Sequence, residues 1–167
     1  MKLTEPLVAI VAGSKSDEEL IDEASSTLSE LGIPHEKRII SAHRTPNRAM
    51  EFASTAKARG LKAIIAIAGK AAHLAGVLAS KTIIPVIGVP AKTSDLGGMD
   101  SLLSTVQMPS GIPVATVAIG KTGAKNAALL AAQILALSDE SLSQRYESFR
   151  MGLSEKVEQD DREFSES

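Results

Sequence analysis

The chain has 167 residues and a formal net charge of −2, with 44% hydrophobic and 23% charged residues, close to the averages of globular proteins. These values argue against a disordered chain, and the weak net charge, with no tryptophan, one tyrosine and three phenylalanines, offers little to attract or stack on nucleic acid. The absence of cysteine excludes disulfides, iron–sulfur clusters and thiol catalysis, which leaves hydroxyls, carboxylates, cations and three histidines for any chemistry.

Five short β-rich runs alternate with segments of helical periodicity along the chain. Apolar residues recur at helical spacing after the first two runs, and an alanine-rich helix (TGAKNAALLAAQILAL) follows the last. Strands that alternate with helices of this length imply right-handed crossovers and a parallel sheet. The sequence therefore predicts a three-layer α/β/α sandwich, flavodoxin-like or Rossmann-like. Its predicted strands are residues 7–12, 36–40, 63–68, 85–89 and 113–118.

A long polar connection, residues 88–113, interrupts the alternation after the fourth strand and holds one short predicted helix at 99–106. Long connections in compact domains tend to be functional. The chain shows no break in composition, so we expect a single domain spanning 1–167. Its expected parts are a core at about 7–138, an exposed C-terminal helix at about 139–158 and a frayed tail at 159–167.

We expect the protein in the cytoplasm, without a membrane or nucleic-acid partner. The longest apolar stretches, such as 64–68, are far too short to span a bilayer. The N-terminal segment MKLTEPLVAIVAG contains a short apolar run but no small-residue cleavage site after it.

Small polar segments follow each of the first three predicted strands. They read GSKSD at 13–17, SAHRTP at 41–46 and AGKAAHLAG at 68–76. Ligands of an open parallel sheet bind beyond the carboxyl ends of its strands. We therefore expect these three loops to form one site.

The first loop is typical of an anion site at a helix N-terminus. Ser16 as N-cap and Glu19 three residues later form a capping box, so the first helix should begin near Asp17. Free amides there, with the Ser14 and Ser16 hydroxyls, favour phosphate, whereas the Asp17 carboxylate favours a sugar hydroxyl. The GxGxxG and Walker spacings are absent. An ordinary strand-to-helix turn explains the same residues equally well.

The second and third loops carry the histidines of interest. Ser41, His43 and Arg44 place a hydroxyl, an imidazole and a guanidinium within four residues, a set suited to phosphate recognition and proton transfer. His73 lies among small residues that leave room for a compact ligand, although a histidine satisfied at a helix N-terminus is the alternative. His35 lacks such neighbours, so we expect it on the surface.

Six segments in order together resemble the PurE family of purine biosynthesis, which comprises carboxyaminoimidazole ribonucleotide mutases and aminoimidazole ribonucleotide carboxylases. The resemblance spans roughly residues 7–150 and implies an α/β/α sandwich that assembles as a homo-octamer with active sites at subunit contacts. Its segments are GSKSD, SAHRTP, AAHL (71–74), PVIGVP (85–90), DSLLSTVQMPSGIPVATVAIG (100–120) and NAALLAAQIL (126–135).

The resemblance implies that a carboxyl group moves from the exocyclic nitrogen of the substrate to ring carbon-4, with carbon dioxide as a trapped intermediate and no metal or organic cofactor. His43 would be the catalytic acid and base, and His73 would line the pocket over the imidazole. Residues 107–109 would complete the site, from a neighbouring subunit. The implied substrate-binding residues are Ser14, Ser16, Asp17, Ser41, Arg44, Gly69, Lys70, Ala71, His73 and Leu74.

Two residues of the third loop depart from the mutase pattern AGGAAHLPG, because Lys70 replaces a glycine and Ala75 replaces a proline. If that glycine position has a positive φ, a lysine there is strained. The direct carboxylases, which use carbon dioxide itself, often carry a basic residue at position 70. Arg44 and His73 favour the mutase. A non-catalytic ribonucleotide-binding module is a further alternative, since a fold does not determine a function.

Overall fold

The protein folds as a five-stranded parallel sheet between two layers of helices in a computed structural model that describes residues 5–166. The strand order is β2-β1-β3-β4-β5, and every neighbouring pair is parallel. This is the flavodoxin-like order, which confirms the predicted fold class. The strands are β1 (Val8–Ala12), β2 (His35–Ile39), β3 (Ala63–Ala68), β4 (Val86–Pro90) and β5 (Ala115–Thr116).

The central strands are apolar on both faces because helices cover both sides of the sheet. Every residue of β1 and β4 is buried, as parallel sheets require. The edge strand β2 instead carries charged, exposed side chains, which discourage pairing with another chain. The other edge strand, β5, is shorter than predicted, because only Ala115 and Thr116 pair with β4 and Pro113 has no amide hydrogen to donate.

Within residues 5–166, the strands are accompanied by six helices and one 3₁₀ turn, and the last two helices follow the final strand. Helices α1, α5 and α6 share one buried cluster with one face of the sheet, and α2 and α3 share a second cluster with the other face. The predicted short helix after β4 is confirmed as α4, which packs beside α3. The helices are α1 (Glu18–Glu30), α2 (Pro46–Ala56), α3 (Leu74–Ala79), α4 (Met99–Val106), α5 (Lys121–Ala136) and α6 (Glu140–Ser165), and the 3₁₀ turn is Lys15–Asp17.

The C-terminal helix is longer than the sequence pattern predicted. We expected it to end at about residue 158 with a frayed tail after it, but α6 continues to Ser165. Its last turns contain good helix formers and no glycine or proline, and the Gln159 amide donates to the Glu163 carboxylate one turn later at 2.8 Å. Residue 167 of the expected tail lies outside the described residues.

His35 is half-buried, which corrects the prediction of a surface histidine. Its Nε2 lies 2.7 Å from the Ser25 hydroxyl, and its Nδ1 lies 2.9 Å from the carbonyl oxygen of Ile33. These contacts tie the start of β2 to α1, so His35 has a structural role. Across residues 5–166, none of the helices combines the length and hydrophobicity needed to cross a bilayer.

The start of α5 is packed closely against the chain that precedes it. A Cβ at Gly123 would lie 1.6 Å from the carbonyl oxygen of Ala118. The alanines that follow on the same helix are fully buried, so the helix cannot shift outward without exposing them. Those alanines are Ala124, Ala127, Ala128, Ala131 and Ala132.

We predict that Gly123→Ala destabilises the fold by about 1–3 kcal/mol or more, the usual range for overpacking a tight contact. Gly152→Ala is the matched control, because nothing lies within 4 Å of a Cβ there and the residue is within α6. That control should gain about 0.5–1 kcal/mol from helix propensity. Urea unfolding of both variants measures the difference, and equal stabilities for Gly123→Ala and the wild type would contradict the packing argument.

Candidate active site

A cavity of about 430 Å³ opens at the carboxyl ends of the strands. It lies where the strand order reverses between β1 and β3, the usual ligand position in this class of sheet. The loops after β1, β2, β3 and β4 supply its walls. Its lining residues are Gly13, Ser14, Ser16, Asp17, Ser41, Ala42, His43, Arg44, Ala68, Gly69, Lys70, Ala71, Leu74, Ala91, Lys92, Thr93 and Ser94.

The structure brings the predicted site residues of the three loops into this one cavity, with the exception of His73. Ser16 and Asp17 of the first loop and Ser41 of the second loop line the cavity together with Gly69, Ala71 and Leu74 of the third loop.

The first loop begins with a 3₁₀ turn, and its capping differs from the prediction. The Ser14 hydroxyl, not that of Ser16, accepts a hydrogen bond, from the Ser16 amide at 3.3 Å. Helix α1 then begins at Glu18, and Asp17 at its N-cap makes no side-chain capping bond. The predicted capping box is wrong because the extra turn places Ser16 before the helix. This leaves the Ser16 hydroxyl on the cavity wall.

Arg44 joins the first two loops. Its Nη2 donates to the carbonyl oxygen of Gly13 at 3.1 Å, and its Nε lies 3.4 Å from the Ser41 hydroxyl. The Ser41 hydroxyl also accepts from the Arg44 amide at 3.1 Å, and α2 starts two residues later with Pro46. The guanidinium is therefore fixed at the cavity edge next to the serine-rich turn.

The two loop histidines contact each other. His43 Nε2 lies 3.0 Å from His73 Nδ1, and the rings meet edge to face with centroids 5.0 Å apart. One nitrogen of this pair must donate and the other accept, so the contact couples the two tautomers. His73 lies against His43 and is not among the residues that line the cavity, so its place over the ligand stays a prediction.

The third loop confirms the suspected strain at its departing residue. Lys70 has a φ of 56°, in the left-handed region where an L-residue with a side chain is disfavoured. Its ammonium lies 2.5 Å from the Asp95 carboxylate. Lys70, Lys92 and Arg44 make the cavity cationic, with Asp17 as its acidic group.

Burial in the cavity wall raises the pKa of the Asp17 carboxyl above its ordinary value of 3.8, because the charged form loses solvation there. A half-buried carboxylate that has lost part of its water favours hydrogen-bond donors such as sugar hydroxyls. Within residues 5–166, no three histidine, aspartate or glutamate side chains lie close enough together to hold a metal ion.

Residues 91–94, after β4, line the cavity and were missing from the predicted site. Ligands bind beyond the carboxyl ends of parallel strands, and this rule could have predicted residues 91–94 too, because β4 is parallel to its neighbours and ends at the same edge of the sheet. Residues 107–109 were expected to complete the site of a neighbouring subunit, and they do not line the cavity of their own chain. The Met108 sulfur instead lies 3.1 Å from where a Cβ on Gly76 would be.

The fold and the cavity define a flavodoxin-like α/β protein with a cationic ligand site at the strand reversal. Comparison with known proteins agrees with this class and narrows it. A family model described as AIR carboxylase matches residues 7–156. The chain therefore belongs to the AIR carboxylase family.

Individual relatives are similar over nearly the whole chain. The N5-carboxyaminoimidazole ribonucleotide mutase of Bacillus subtilis (strain 168) is 57% identical, over 87% of this chain and 90% of the relative. The Escherichia coli (strain K12) protein of that name is 53% identical, over 90% of this chain and 89% of the relative. A crystal structure of Treponema denticola PurE has a TM-score of 0.85 at 32% identity, covering 95% of this chain and 98% of that one.

We predict that Asp17→Asn stabilises the ligand-free protein at neutral pH. Burial of the charged Asp17 carboxylate lowers the free energy of unfolding, and it raises the pKa of this group in the folded state. This destabilisation is absent at a pH below 3.8, the ordinary pKa, and is fully present at a pH above the raised folded-state pKa. The stability gain of the variant should therefore grow as the pH rises through this window and then level off. Urea unfolding across pH 3.5–8 measures this gain. Asp161→Asn on the exposed part of α6 is the control. An Asp17→Asn protein that is less stable than the wild type at pH 7 would contradict the prediction.

Proposed function

We propose that the protein is an isomerase of purine biosynthesis that converts 5-(carboxyamino)imidazole ribonucleotide into 4-carboxy-5-aminoimidazole ribonucleotide. The observation that carries this proposal is the convergence of His43, Arg44 and the serine-rich first loop on one cavity. The side chain of His43 therefore lies beside an anion site and a carboxylate that can bind a sugar. The mutase relatives above 50% identity support the same activity.

In the proposed complex, the phosphate lies between the Ser14–Ser16 turn and Arg44. Arg44 is already held by Gly13 and Ser41, so its remaining N–H groups are oriented without further loss of side-chain entropy. Asp17 accepts hydrogen bonds from the ribose hydroxyls. This arrangement directs the heterocycle toward the second and third loops, where Gly69, Ala71 and Leu74 leave space for a flat ring.

His43 carries out both proton transfers. The protonated ring donates a proton to the exocyclic nitrogen as its bond to the carboxyl group breaks, which releases carbon dioxide and neutral aminoimidazole ribonucleotide. Ring carbon-4 then attacks the same carbon dioxide, and neutral His43 removes the proton from that carbon. One proton is delivered and one is taken back, so the histidine ends in its starting form.

His73 orients the catalytic ring in this proposal. Its Nδ1 contact at 3.0 Å occupies Nε2 of His43, so Nδ1 of His43 is the nitrogen that remains for the substrate. A fixed tautomer matters because the same nitrogen must first donate and then accept.

The direct carboxylase is the second candidate, and Lys70 is the residue that favours it. Arg44 and His73 favour the mutase, as do the names of the relatives. An assay of each substrate separates the two: the mutase converts 5-(carboxyamino)imidazole ribonucleotide alone, whereas the carboxylase needs aminoimidazole ribonucleotide with bicarbonate as the source of carbon dioxide. We expect product from the first substrate at low enzyme concentration. Ribonucleotide binding without turnover of either substrate would instead identify a binding module.

We predict that His43→Asn lowers turnover by about 10²- to 10⁴-fold, the usual contribution of a general acid–base group. Ligand affinity should change little, because the phosphate and ribose contacts stay in place. Discontinuous assays of product formation measure the turnover rate, and calorimetric titration with aminoimidazole ribonucleotide measures the ligand affinity. His35→Asn is a control for histidine loss away from the cavity, and equal turnover in His43→Asn and wild type would reject the assignment.

A homo-octamer in the cytoplasm remains our proposal for assembly and location. An exposed apolar face on α4 supports assembly, because Met99, Leu103 and Val106 recur at helical spacing and are each about half exposed. In that assembly residues 107–109 would reach the cavity of a neighbouring subunit. Light scattering that reports a monomer under assay conditions would reject both the octamer and the contribution of residues 107–109 to a neighbouring cavity.

A further inference from the structure

The segment after β4, residues 91–98, contributes residues 91–94 to the cavity wall. Both of its ends are anchored, and the Gly98 carbonyl oxygen accepts from the Ser101 hydroxyl at 3.0 Å. The Ala91 amide donates to the carbonyl oxygen of Ala68 at 2.9 Å, and the buried Ser101 hydroxyl donates to Ala91 at 2.5 Å. The Thr93 hydroxyl donates to the Asp100 carboxylate at 2.9 Å. These bonds position Lys92 and Thr93 on the cavity wall.

The middle of this segment, residues 94–97, has fewer contacts with the rest of the chain; the Leu96 carbonyl oxygen accepts from the Met99 amide at 3.1 Å. Ser94 and Asp95 contact each other at 3.4 Å, and two glycines with positive φ follow, Gly97 at 65° and Gly98 at 98°. Across the described part of the chain, the Lys70–Asp95 ion pair is the polar side-chain contact that joins residues 94–97 to another element. Its 2.5 Å separation links the third loop to the loop after β4.

The backbone of Lys70 is fixed in a conformation that a glycine would adopt without strain. Its carbonyl oxygen accepts from the Ala72 amide at 2.8 Å and from the Ser104 hydroxyl at 3.4 Å. Next to it, a Cβ on Gly69 would lie 3.3 Å from the Thr93 methyl group, so the two loops are already in contact. Strained backbone of this kind persists where surrounding structure determines it and occurs often at functional sites.

We propose that the Lys70–Asp95 ion pair is a positioning contact that holds residues 94–97 at the cavity rim, where Lys70 and Ser94 line the wall, and so helps to retain the carbon dioxide formed during the reaction. This inference rests on the proposed function, since only a reaction with a free carbon dioxide intermediate needs such retention. Neither residue transfers a proton or forms a bond to the substrate in this role. Lys70 and Asp95 therefore affect how much intermediate escapes more than how fast the chemistry proceeds.

Salt, and not pH, is the condition that should open this contact. The hydrogen bond and charge of Asp95 raise the pKa of Lys70 above 10.5, with a smaller contribution from Asp100, and the hydrogen bond from Lys70 lowers the pKa of Asp95 below 3.8. Both groups stay charged at every pH between these values. Because the pair is exposed, 1 M salt screens it strongly.

The first test is amide hydrogen exchange of the ligand-free protein, which does not depend on any activity. We expect Asp95→Asn to speed exchange of residues 94–97 by about two- to fivefold, the effect typical of losing one exposed pair. High salt should do the same to the wild type and nothing to the variant. Asp22→Asn is the matched control, because it removes the similarly exposed Lys37–Asp22 pair at 2.9 Å, away from the cavity.

A charge swap makes the exchange test specific. Lys70→Asp combined with Asp95→Lys should restore slow exchange, since an aspartate tolerates the left-handed conformation better than a lysine. Lys70→Asp alone should exchange fastest because two carboxylates then face each other. Equal exchange in the wild type, in Asp95→Asn and in the swapped pair would overturn the positioning role.

The second test measures how the substrate partitions. We expect Asp95→Asn to release about two- to fivefold more aminoimidazole ribonucleotide per carboxylated product, with kcat changed less than this ratio. Faster exchange with an unchanged ratio would overturn the retention role. If the wild type turns over no substrate, the proposed function fails and retention fails with it, while the exchange result still decides whether the ion pair positions the loop.

Discussion

The parallel direction of β1, β2, β3 and β4 is the constraint on which the site depends. It brings four chain segments, far apart in sequence, to one edge of the sheet, and the reversal of order between β1 and β3 opens a space between them. The bond from Arg44 to the Gly13 carbonyl joins the loops after β1 and β2 at the edge of that space. A ligand placed there touches several loops at once, so a weak contribution from each can sum to specific recognition.

Small residues allow the layers to approach closely enough for these loops to be rigid at their bases. A Cβ on Gly88 in the centre of β4 would lie 2.4 Å from the Thr105 methyl group, so α4 packs directly on the strand. The Thr105 hydroxyl bonds within its own helix, to the carbonyl oxygen of Ser101 at 2.7 Å. Because α4 is fixed in this way, Asp100 and Ser101 can anchor the cavity wall that precedes them.

The periodicity of the sequence was enough to predict the layers, the parallel sheet and even the bounds of α4. The same periodicity was enough to predict which loops form the site, because the position of a site in this fold follows from the direction of the strands. Details set by side-chain direction were not predictable: spacing places His73 in the third loop, but only its backbone geometry turns it toward His43. The choice between the Ser14 and Ser16 hydroxyls likewise depends on one extra 3₁₀ turn.

The features that cost folding free energy gather at the cavity, while the central strands supply stability. Asp17 loses solvation there, and Lys70 holds an unfavourable φ. A phosphorylated sugar would offset the first of these costs, since hydroxyl donors replace the water lost by the carboxylate. The strain at Lys70 is a property of the backbone and stays when a ligand binds. Ligand binding and ionisation of Asp17 are consequently linked: a ligand that donates to the carboxylate must lower the raised pKa, and an ionised Asp17 must bind that ligand more tightly than a protonated one.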